Sequence, residues 1–171
     1  MITVCKERMG TTEYYMKLAA DVALRSTCIR RQVGAIAVVD NRIVATGYNG
    51  VPSGVPHCTT DTCYRMSNKI PSGRDLEHCF AVHAEQNLLV QCAYHGVSMK
   101  GAIVYLTHSP CTTCLKLLKA VGVHTLYARE CYPDDFVERV KTTMGIGYHA
   151  YVSDTTSGPE TRHVFTFSRI E

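Results

Sequence analysis

The sequence lacks the features of a membrane protein, a secreted protein and a strongly basic nucleic-acid-binding protein. No apolar run approaches the length of a membrane span, and residues 1–10 carry charges where a signal peptide has an apolar core. The formal net charge is only +3, and no stripe of alternating basic and aromatic residues appears. We therefore expect a cytoplasmic protein that binds neither a membrane nor a nucleic acid. Its mild basicity instead suits a small anionic ligand.

Internal repeats, linkers and low-complexity segments are also lacking. A length of 171 residues, with 46% hydrophobic and 19% charged residues, is typical of a globular protein with a sizeable core. We expect residues 1–171 to form a single domain. Cysteine, in contrast, is abundant, with nine residues. Without a secretory signal, reduced thiols and metal sites are expected rather than disulfides.

Two short motifs contain the residue types of a catalytic zinc site. They are His83-Ala84-Glu85 and Pro110-Cys111-Thr112-Thr113-Cys114. One imidazole and two thiolates supply three positions of a tetrahedral zinc shell and leave the fourth open for water. Glu85 is too close to His83 in sequence to be an obvious fourth ligand. It is instead placed to act as the base that moves a proton from the water to a leaving group.

A Cys-x-x-Cys pair alone would also suit a closed structural zinc site, a thioredoxin-like redox pair or unrelated core cysteines. The joint occurrence with Pro110 and with a carboxylate two residues after His83 favours the catalytic site. Ser109 is predicted to cap a helix whose first turn contains Pro110, Cys111 and Cys114. The helix dipole would then favour the thiolate forms.

Hydrophobic periodicity predicts alternating helices and strands along the chain. The predicted elements are a helix from Thr11 or Thr12, a hairpin of strands 33–39 and 42–47 that turns at Asp40-Asn41, a helix over 81–95, a strand over 101–107, the cysteine helix ending at Gly122, a strand over 123–128, a helix from Pro133 to about Gly145, and strands over 148–152 and 162–167. This order indicates a layered α/β domain whose later strands are parallel. The helices that carry His83 and the two cysteines should then begin side by side.

Two irregular segments have no assignment from periodicity. Gly47-Tyr48-Asn49-Gly50 ends the second strand, and its glycines would permit a ligand to approach the backbone closely; an ordinary turn is equally consistent. Residues 51–80 are rich in Pro, Gly, Ser and Asp and contain Cys58, Cys63 and Cys79, with His57 and His78. A loop of this length usually needs an anchor, so we expect a second metal site there.

Four blocks of sequence resemble the cytidine deaminase superfamily, and within it most closely the deoxycytidylate (dCMP) deaminases. The blocks are Cys28-Ile29-Arg30-Arg31-Gln32-Val33-Gly34-Ala35, Gly47-Tyr48-Asn49-Gly50-Val51-Pro52-Ser53-Gly54, His83-Ala84-Glu85-Gln86-Asn87, and Thr107-His108-Ser109-Pro110-Cys111 to Cys114. The H-x-E and P-C-x-x-C patterns are general to zinc nucleobase deaminases. The Gly-Tyr-Asn-Gly block beside a cysteine-bearing loop is the more discriminating one.

This resemblance implies a three-layer α/β/α fold with a mixed five-stranded sheet. It also implies hydrolytic deamination of dCMP to dUMP by a zinc-activated hydroxide, which supplies dUMP for thymidylate synthesis. His83, Cys111 and Cys114 would bind Zn²⁺, and Glu85 would shuttle protons. The substrate-binding residues implied are Asn49 at the sugar, Arg30 at the 5′-phosphate, Ala84, and Tyr132 as a weaker phosphate candidate.

The resemblance further implies regulation and a second zinc. Many family members are homohexamers that dCTP activates and dTTP inhibits, with Mg²⁺ on the triphosphate, and Gly47, Tyr48, Asn49 and Gly50 resemble the segment that contacts the regulator. Some relatives carry a structural zinc on cysteines placed like Cys28 and Cys58. Cys63 and Cys79 would complete a four-cysteine site here, with His78 or His57 able to replace one of them.

Several alternatives remain. A related deaminase could act on free cytidine, on a riboflavin-pathway intermediate or on tRNA adenosine, and a base editor could act on a nucleic acid. The low net charge disfavours a nucleic-acid channel, and a free nucleoside needs no phosphate-binding arginine. A non-catalytic zinc module is disfavoured because a structural site has no use for Glu85.

Overall fold

The computed structural model of the protein describes residues 8–130, 139 and 142–151. Within them lies a five-stranded sheet with the strand order β2-β1-β3-β4-β5. The elements are α1 (Thr11–Ala23), β1 (Gly34–Val39), β2 (Arg42–Tyr48), α2 (Tyr64–Ser67), a 3₁₀ turn (Leu76–His78), α3 (Ala84–His95), β3 (Ile103–His108), α4 (Thr112–Ala120), β4 (Thr125–Glu130) and β5 (Gly147–Ala150). No helix in these ranges has the length and apolar character needed to cross a membrane.

The first two strands form the predicted hairpin. β1 pairs antiparallel with β2, and the connecting residues Asp40 and Asn41 have φ angles of 48° and 60°. A two-residue turn with positive φ at both positions matches the right-handed twist of the strands, and Asp and Asn tolerate that conformation. β1 is also antiparallel to β3, whereas β3, β4 and β5 are mutually parallel. The mixed sheet and its parallel later strands are therefore confirmed.

Helices cover both faces of this sheet, which confirms the three-layer α/β/α fold. On one face, α1 packs Tyr15, Met16 and Ala19 against Ile36 and other side chains of β1 and β3. On the other face, a larger cluster joins the apolar sides of α3 and α4 to the sheet, with Leu88, Leu115 and Leu118 fully buried. Residues of β1 and β3 alternate between the two clusters, as the two-residue period of a strand requires.

The helices α3 and α4 converge at their amino ends. Short connections join α3 to the start of β3 and the end of β3 to α4, so both helices run opposite to β3 on the same face. Their first residues therefore meet at the carboxyl end of β3. This placement is the one predicted from the alternating pattern.

Both of these helices begin later than predicted. His83 is the N-cap of α3, with ψ of 154°, and Cys111 is the N-cap of α4, with ψ of 165°. The prediction that Ser109 caps α4 and Pro110 opens its first turn is wrong. The Cys111 carbonyl accepts the first helical hydrogen bond, from the Leu115 N–H at 2.9 Å. Because a cap residue has extended backbone, its side chain leaves the helix end and can reach the neighbouring helix.

The remaining predictions have mixed outcomes. Residues 51–80 are irregular apart from α2 and the 3₁₀ turn, as the lack of periodicity indicated. β5 corresponds to the strand predicted at 148–152, and residues 142–144 are helical. Tyr132, the start of the helix predicted from Pro133 and the strand predicted at 162–167 lie outside the described residues.

Gly47 allows β2 to pack against the first turn of α3. A Cβ atom on Gly47 would collide with the carbonyl oxygen of Ala84 and would lie 2.7 Å from the backbone nitrogen of Leu88. The sequence suggested that Gly47 permits a ligand to approach the backbone closely. In the fold, it instead permits the close approach of α3, which follows His83 and contains Glu85.

We expect the substitution Gly47→Ala to separate α3 from β2 and to lower the free energy of unfolding by about 1–3 kcal/mol, the usual cost of overpacking. Gly10→Ala is the matched control, because a Cβ at Gly10 meets nothing within 4 Å. Chemical denaturation of both variants measures the difference. Equal stability of Gly47→Ala and the wild type would contradict the close approach described here.

Candidate functional site

Three side chains from two helix starts form a metal-binding group. His83 Nδ1 lies 3.6 Å from Cys111 Sγ and 3.4 Å from Cys114 Sγ. A zinc ion about 2.0 Å from a nitrogen and about 2.3 Å from a sulfur, with tetrahedral angles, holds those ligand atoms about 3.5 Å apart. The residues present therefore fit zinc. In the described part of the chain this is the only group of three or more such ligands whose atoms all lie within 4.8 Å of one another.

The backbone around His83 is fixed by neighbouring segments. A bridge joins Gly50 to Val82, with N–H···O distances of 3.1 and 2.9 Å. The His83 N–H donates to Gln86 Oε1 at 3.1 Å, and Asn87 Nδ2 donates to the Tyr48 carbonyl at 2.6 Å. The Gly-Tyr-Asn-Gly segment thus supports the start of α3 directly.

The thiols interact strongly with each other and with the imidazole. The hydrogen bond from the Cys114 thiol, together with the His83 imidazole, lowers the pKa of Cys111 to about 4, although burial opposes that change. The same hydrogen bond raises the pKa of Cys114. The hydrogen bond to Cys111 raises the pKa of His83. A thiolate is therefore favoured at this point, which is the ligand form that zinc requires.

Glu85 lies in the first turn of α3 beside these ligands and is 4% exposed. Burial raises the pKa of Glu85 to about 7, although its own backbone N–H and the charge of His83 oppose that rise. A carboxyl group with a pKa near neutrality can both accept and release a proton at the working pH of an enzyme. In the structure, Glu85 therefore lies together with the three candidate ligands.

Glu85, His83 and Cys111 line a cavity of about 930 Å³. The same cavity is also lined by four cationic residues, Arg30, Arg31, Arg65 and Arg74, which together form its arginine wall. Glu85 is the single carboxylate among the described lining residues. A cavity with this distribution of charge suits an anionic ligand whose neutral part reaches the metal.

Arg65 is a site residue that the sequence analysis missed. It is 9% exposed, and its charge acts on His83 in the direction that lowers the pKa. The residue stands in an irregular segment without periodicity or motif, so no sequence signal indicated that it points to the cavity. Its burial is visible only in the fold.

Asn49 lies in the cavity wall, but most of the hydrogen-bonding groups of its side-chain amide already bond to other residues of the protein. Oδ1 accepts from the Val33 N–H at 2.8 Å and lies 2.7 Å from Ser26 Oγ. Nδ2 donates to the Arg31 carbonyl at 2.8 Å. One N–H of the amide remains for a ligand. Ala84, also in the wall, is fully buried, whereas Gly47, Tyr48 and Gly50 are not among the described lining residues.

The four cysteines considered for a second metal are neighbours in space. The pKa of Cys58 is raised chiefly by burial and then by the charges of Cys63, Cys28 and Cys79. Their sulfur atoms nevertheless do not form a ligand group of the closeness seen at His83. His57 and His78 are exposed, and His78 stacks obliquely on Tyr64 with 5.3 Å between the ring centres.

Comparison with known proteins identifies relatives. Residues 9–130 match the model of the cytidine and deoxycytidylate deaminase zinc-binding region. The chain is 39% identical over 127 residues to ComE operon protein 2 of Bacillus subtilis, which covers 74% of this chain and 62% of that protein. It is 32% identical over 151 residues to the deoxycytidylate deaminase of Schizosaccharomyces pombe, covering 88% of this chain and 47% of that one.

A phage enzyme and a solved structure match over nearly their whole length. The deoxycytidylate deaminase of Mycobacterium phage D29 is 39% identical over 127 residues, 72% of this chain and 94% of its own. The crystal structure of the dCMP deaminase from the cyanophage S-TIM5, in complex with dCMP and dUMP, has a TM-score of 0.68 and 33% identity over 84% of this chain and 100% of that chain. This chain spans less than two thirds of the Bacillus and Schizosaccharomyces proteins. From the matched region and the zinc-binding geometry together, the chain belongs to the cytidine and deoxycytidylate deaminase family.

Proposed function

We propose that the protein, as one zinc-dependent deaminase domain over residues 1–171, converts dCMP and water to dUMP and ammonia and so supplies dUMP for thymidylate synthesis. The observation that carries this proposal is the sharing of one cavity by His83 and Cys111 of the zinc-binding triad, the buried Glu85 and several arginines. The dCMP deaminases among its relatives, one of them solved with dCMP and dUMP, support the same substrate.

The chemistry divides between the metal and Glu85. Zinc bound to His83, Cys111 and Cys114 would lower the pKa of water and so supply a nucleophile for C4 of the cytosine ring at neutral pH. Glu85 would accept one proton from the water and pass it to N3 of the ring. It would then accept the remaining proton of the hydroxyl group at C4 and pass it to the departing amino group. The oxygen of the water remains at C4, and the amino group leaves as ammonia. A carboxyl group buried beside the ligands can carry each of these protons without competition from solvent.

The nucleotide orientation follows from the charges of the walls. With the base at Glu85, the phosphate points to the arginine side of the cavity, where Arg30 is proposed to contact it. The free N–H of Asn49 is proposed to contact the sugar, and the buried Ala84 to shape the base pocket. Tyr132 remains a second phosphate candidate.

The arginine wall also weighs against the alternatives. A deaminase of free cytidine would gain nothing from these arginines, because a nucleoside has no phosphate for them to bind. Riboflavin-pathway and tRNA adenosine deaminases share the zinc motifs, but two solved structures of the riboflavin type are 23% and 20% identical to this chain and so share only the fold.

Regulation is proposed by analogy with the family. Under this proposal the protein is a homohexamer that binds dCTP with Mg²⁺ as activator and dTTP as inhibitor at the Gly47 to Gly50 segment. The bonds from Asn87 to Tyr48 and between Gly50 and Val82 support it, because a ligand on this segment would act on the start of α3.

A second, structural zinc is proposed on Cys28, Cys58, Cys63 and Cys79, with His78 or His57 as a substitute for one of them. The proximity of the four cysteines supports it, as does the length of the irregular loop that contains three of them. A zinc ion there would draw the four sulfur atoms together and order the wall of the cavity that contains Cys28 and Cys79.

We expect the purified protein to release ammonia from dCMP and not from deoxycytidine or a short single-stranded DNA at a comparable rate, because only a mononucleotide presents a terminal 5′-phosphate to the arginine wall. Addition of dCTP with Mg²⁺ should raise the rate at low dCMP, and dTTP should lower it. Turnover of the nucleoside or of DNA in preference to dCMP would overturn the substrate proposal. A rate unaffected by both triphosphates would overturn the proposed regulation alone.

Metal analysis after gentle purification should find about two zinc ions per chain, one in each site. Cys58→Ser should reduce this to about one and lower the melting temperature, since the loop loses its anchor. Cys92→Ala is the control, because Cys92 lies in the core away from both sites, and it should retain both ions. A wild-type content of about one zinc would contradict the structural site.

A further inference from the structure

Arg65 is the most deeply buried cation of the cavity and has no anionic partner there. It extends from α2 in the long loop, whereas Arg30 and Arg31 are half-buried and Arg74 is exposed. Within the described part of the chain, neither Arg65 nor Arg30 lies within ion-pair distance of a carboxylate. An isolated buried charge is costly, so a site that retains one usually meets an opposite charge.

Backbone carbonyls of the loop hold the guanidinium groups of both Arg30 and Arg65. Arg30 Nη2 donates to the Ile70 carbonyl at 2.9 Å, and Arg65 Nη2 donates to the Pro71 carbonyl at 3.0 Å. These acceptors belong to consecutive residues, so the two cations share one short stretch of the loop. Two neighbouring positive charges repel each other, and a dianion between them would relieve that repulsion.

Each guanidinium keeps a buried donor without a partner. The atoms are Arg65 Nε and Arg30 Nη1. A buried N–H that makes no hydrogen bond loses the hydration it had in water and gains nothing in return. The orientation of each group is already fixed by its Nη2 bond, so the remaining donors are preorganised for a ligand with several acceptor oxygens.

We propose that Arg65 acts with Arg30 as a two-arginine clamp for the 5′-phosphate, and that Arg65 determines the preference for a nucleotide over a nucleoside. The inference rests on the proposed function for the identity of the nucleotide. The phosphate chemistry fits the site because a phosphate is a dianion with three equivalent acceptor oxygens and accepts paired N–H donors from arginine. Glu85, His83 and Cys111 line the same cavity as the two arginines, so the base of the same molecule can reach them.

Equilibrium binding of dUMP and of deoxyuridine separates the clamp from a purely structural role. Arg65→Gln should weaken dUMP binding on the order of 10- to 100-fold, the usual value of a charge-assisted hydrogen bond, and leave deoxyuridine binding unchanged. Arg65→Lys should have an affinity for dUMP between those of the wild type and Arg65→Gln. Lysine retains the positive charge but lacks the planar set of donors of a guanidinium group. Arg42→Gln is the matched control, because it also removes one arginine, from the exposed start of β2. It should change neither dUMP binding nor deoxyuridine binding.

Unchanged dUMP binding in Arg65→Gln would overturn the clamp, and so would an equal loss for dUMP and deoxyuridine, which is the result of a merely structural Arg65. If Arg65→Gln does not fold, Arg65→Lys decides between the same outcomes. Binding is independent of turnover, so a wild type that binds dUMP through Arg65 but does not deaminate dCMP would refute the proposed function and leave the clamp standing.

Discussion

The site depends on the packing of two parallel helices against one face of the sheet. Because α3 and α4 both run opposite to β3, their amino ends meet at its carboxyl edge. The ligands His83 and Cys111 are the N-caps of those helices, and Cys114 follows one turn later. A shift of either helix would separate the nitrogen from the sulfurs. The glycine at position 47 and the apolar side chains between the helices and the sheet therefore determine the metal geometry from outside it.

The cavity combines two kinds of electrostatic environment. Burial makes the charged form of Glu85 costly and raises its pKa to about 7, and a carboxyl group with such a pKa can both accept and release a proton near neutral pH. Arg30 and Arg65 are held by backbone carbonyls, and each retains a buried N–H donor without a partner. Under the proposed function, the neutral base of a nucleotide lies beside Glu85 and its dianionic phosphate lies at the arginines.

Most of the fold and the metal triad could be predicted from the sequence, because both depend on local patterns. The hairpin was marked by Asp40-Asn41, and the ligands by fixed spacings around His83 and Cys111. The helix starts were placed too early. At α4 this happened because capping preferences favoured Ser109 over Cys111, which is the N-cap in the structure. Arg65 could not be predicted at all, since its importance arises from the burial of a loop without periodicity. The Gly47 contact with α3 also depends on tertiary packing.

The most direct test of this account compares Glu85→Gln with the wild type for both dCMP turnover and zinc content. The substitution preserves size and hydrogen bonding but removes the proton-accepting group, so turnover should fall by on the order of 10² to 10⁴ while zinc content stays unchanged. Glu77→Gln, at an exposed carboxylate outside the cavity wall, should behave as the wild type. Normal dCMP turnover by a zinc-loaded Glu85→Gln protein would contradict the central claim that this carboxylate transfers the protons of the deamination.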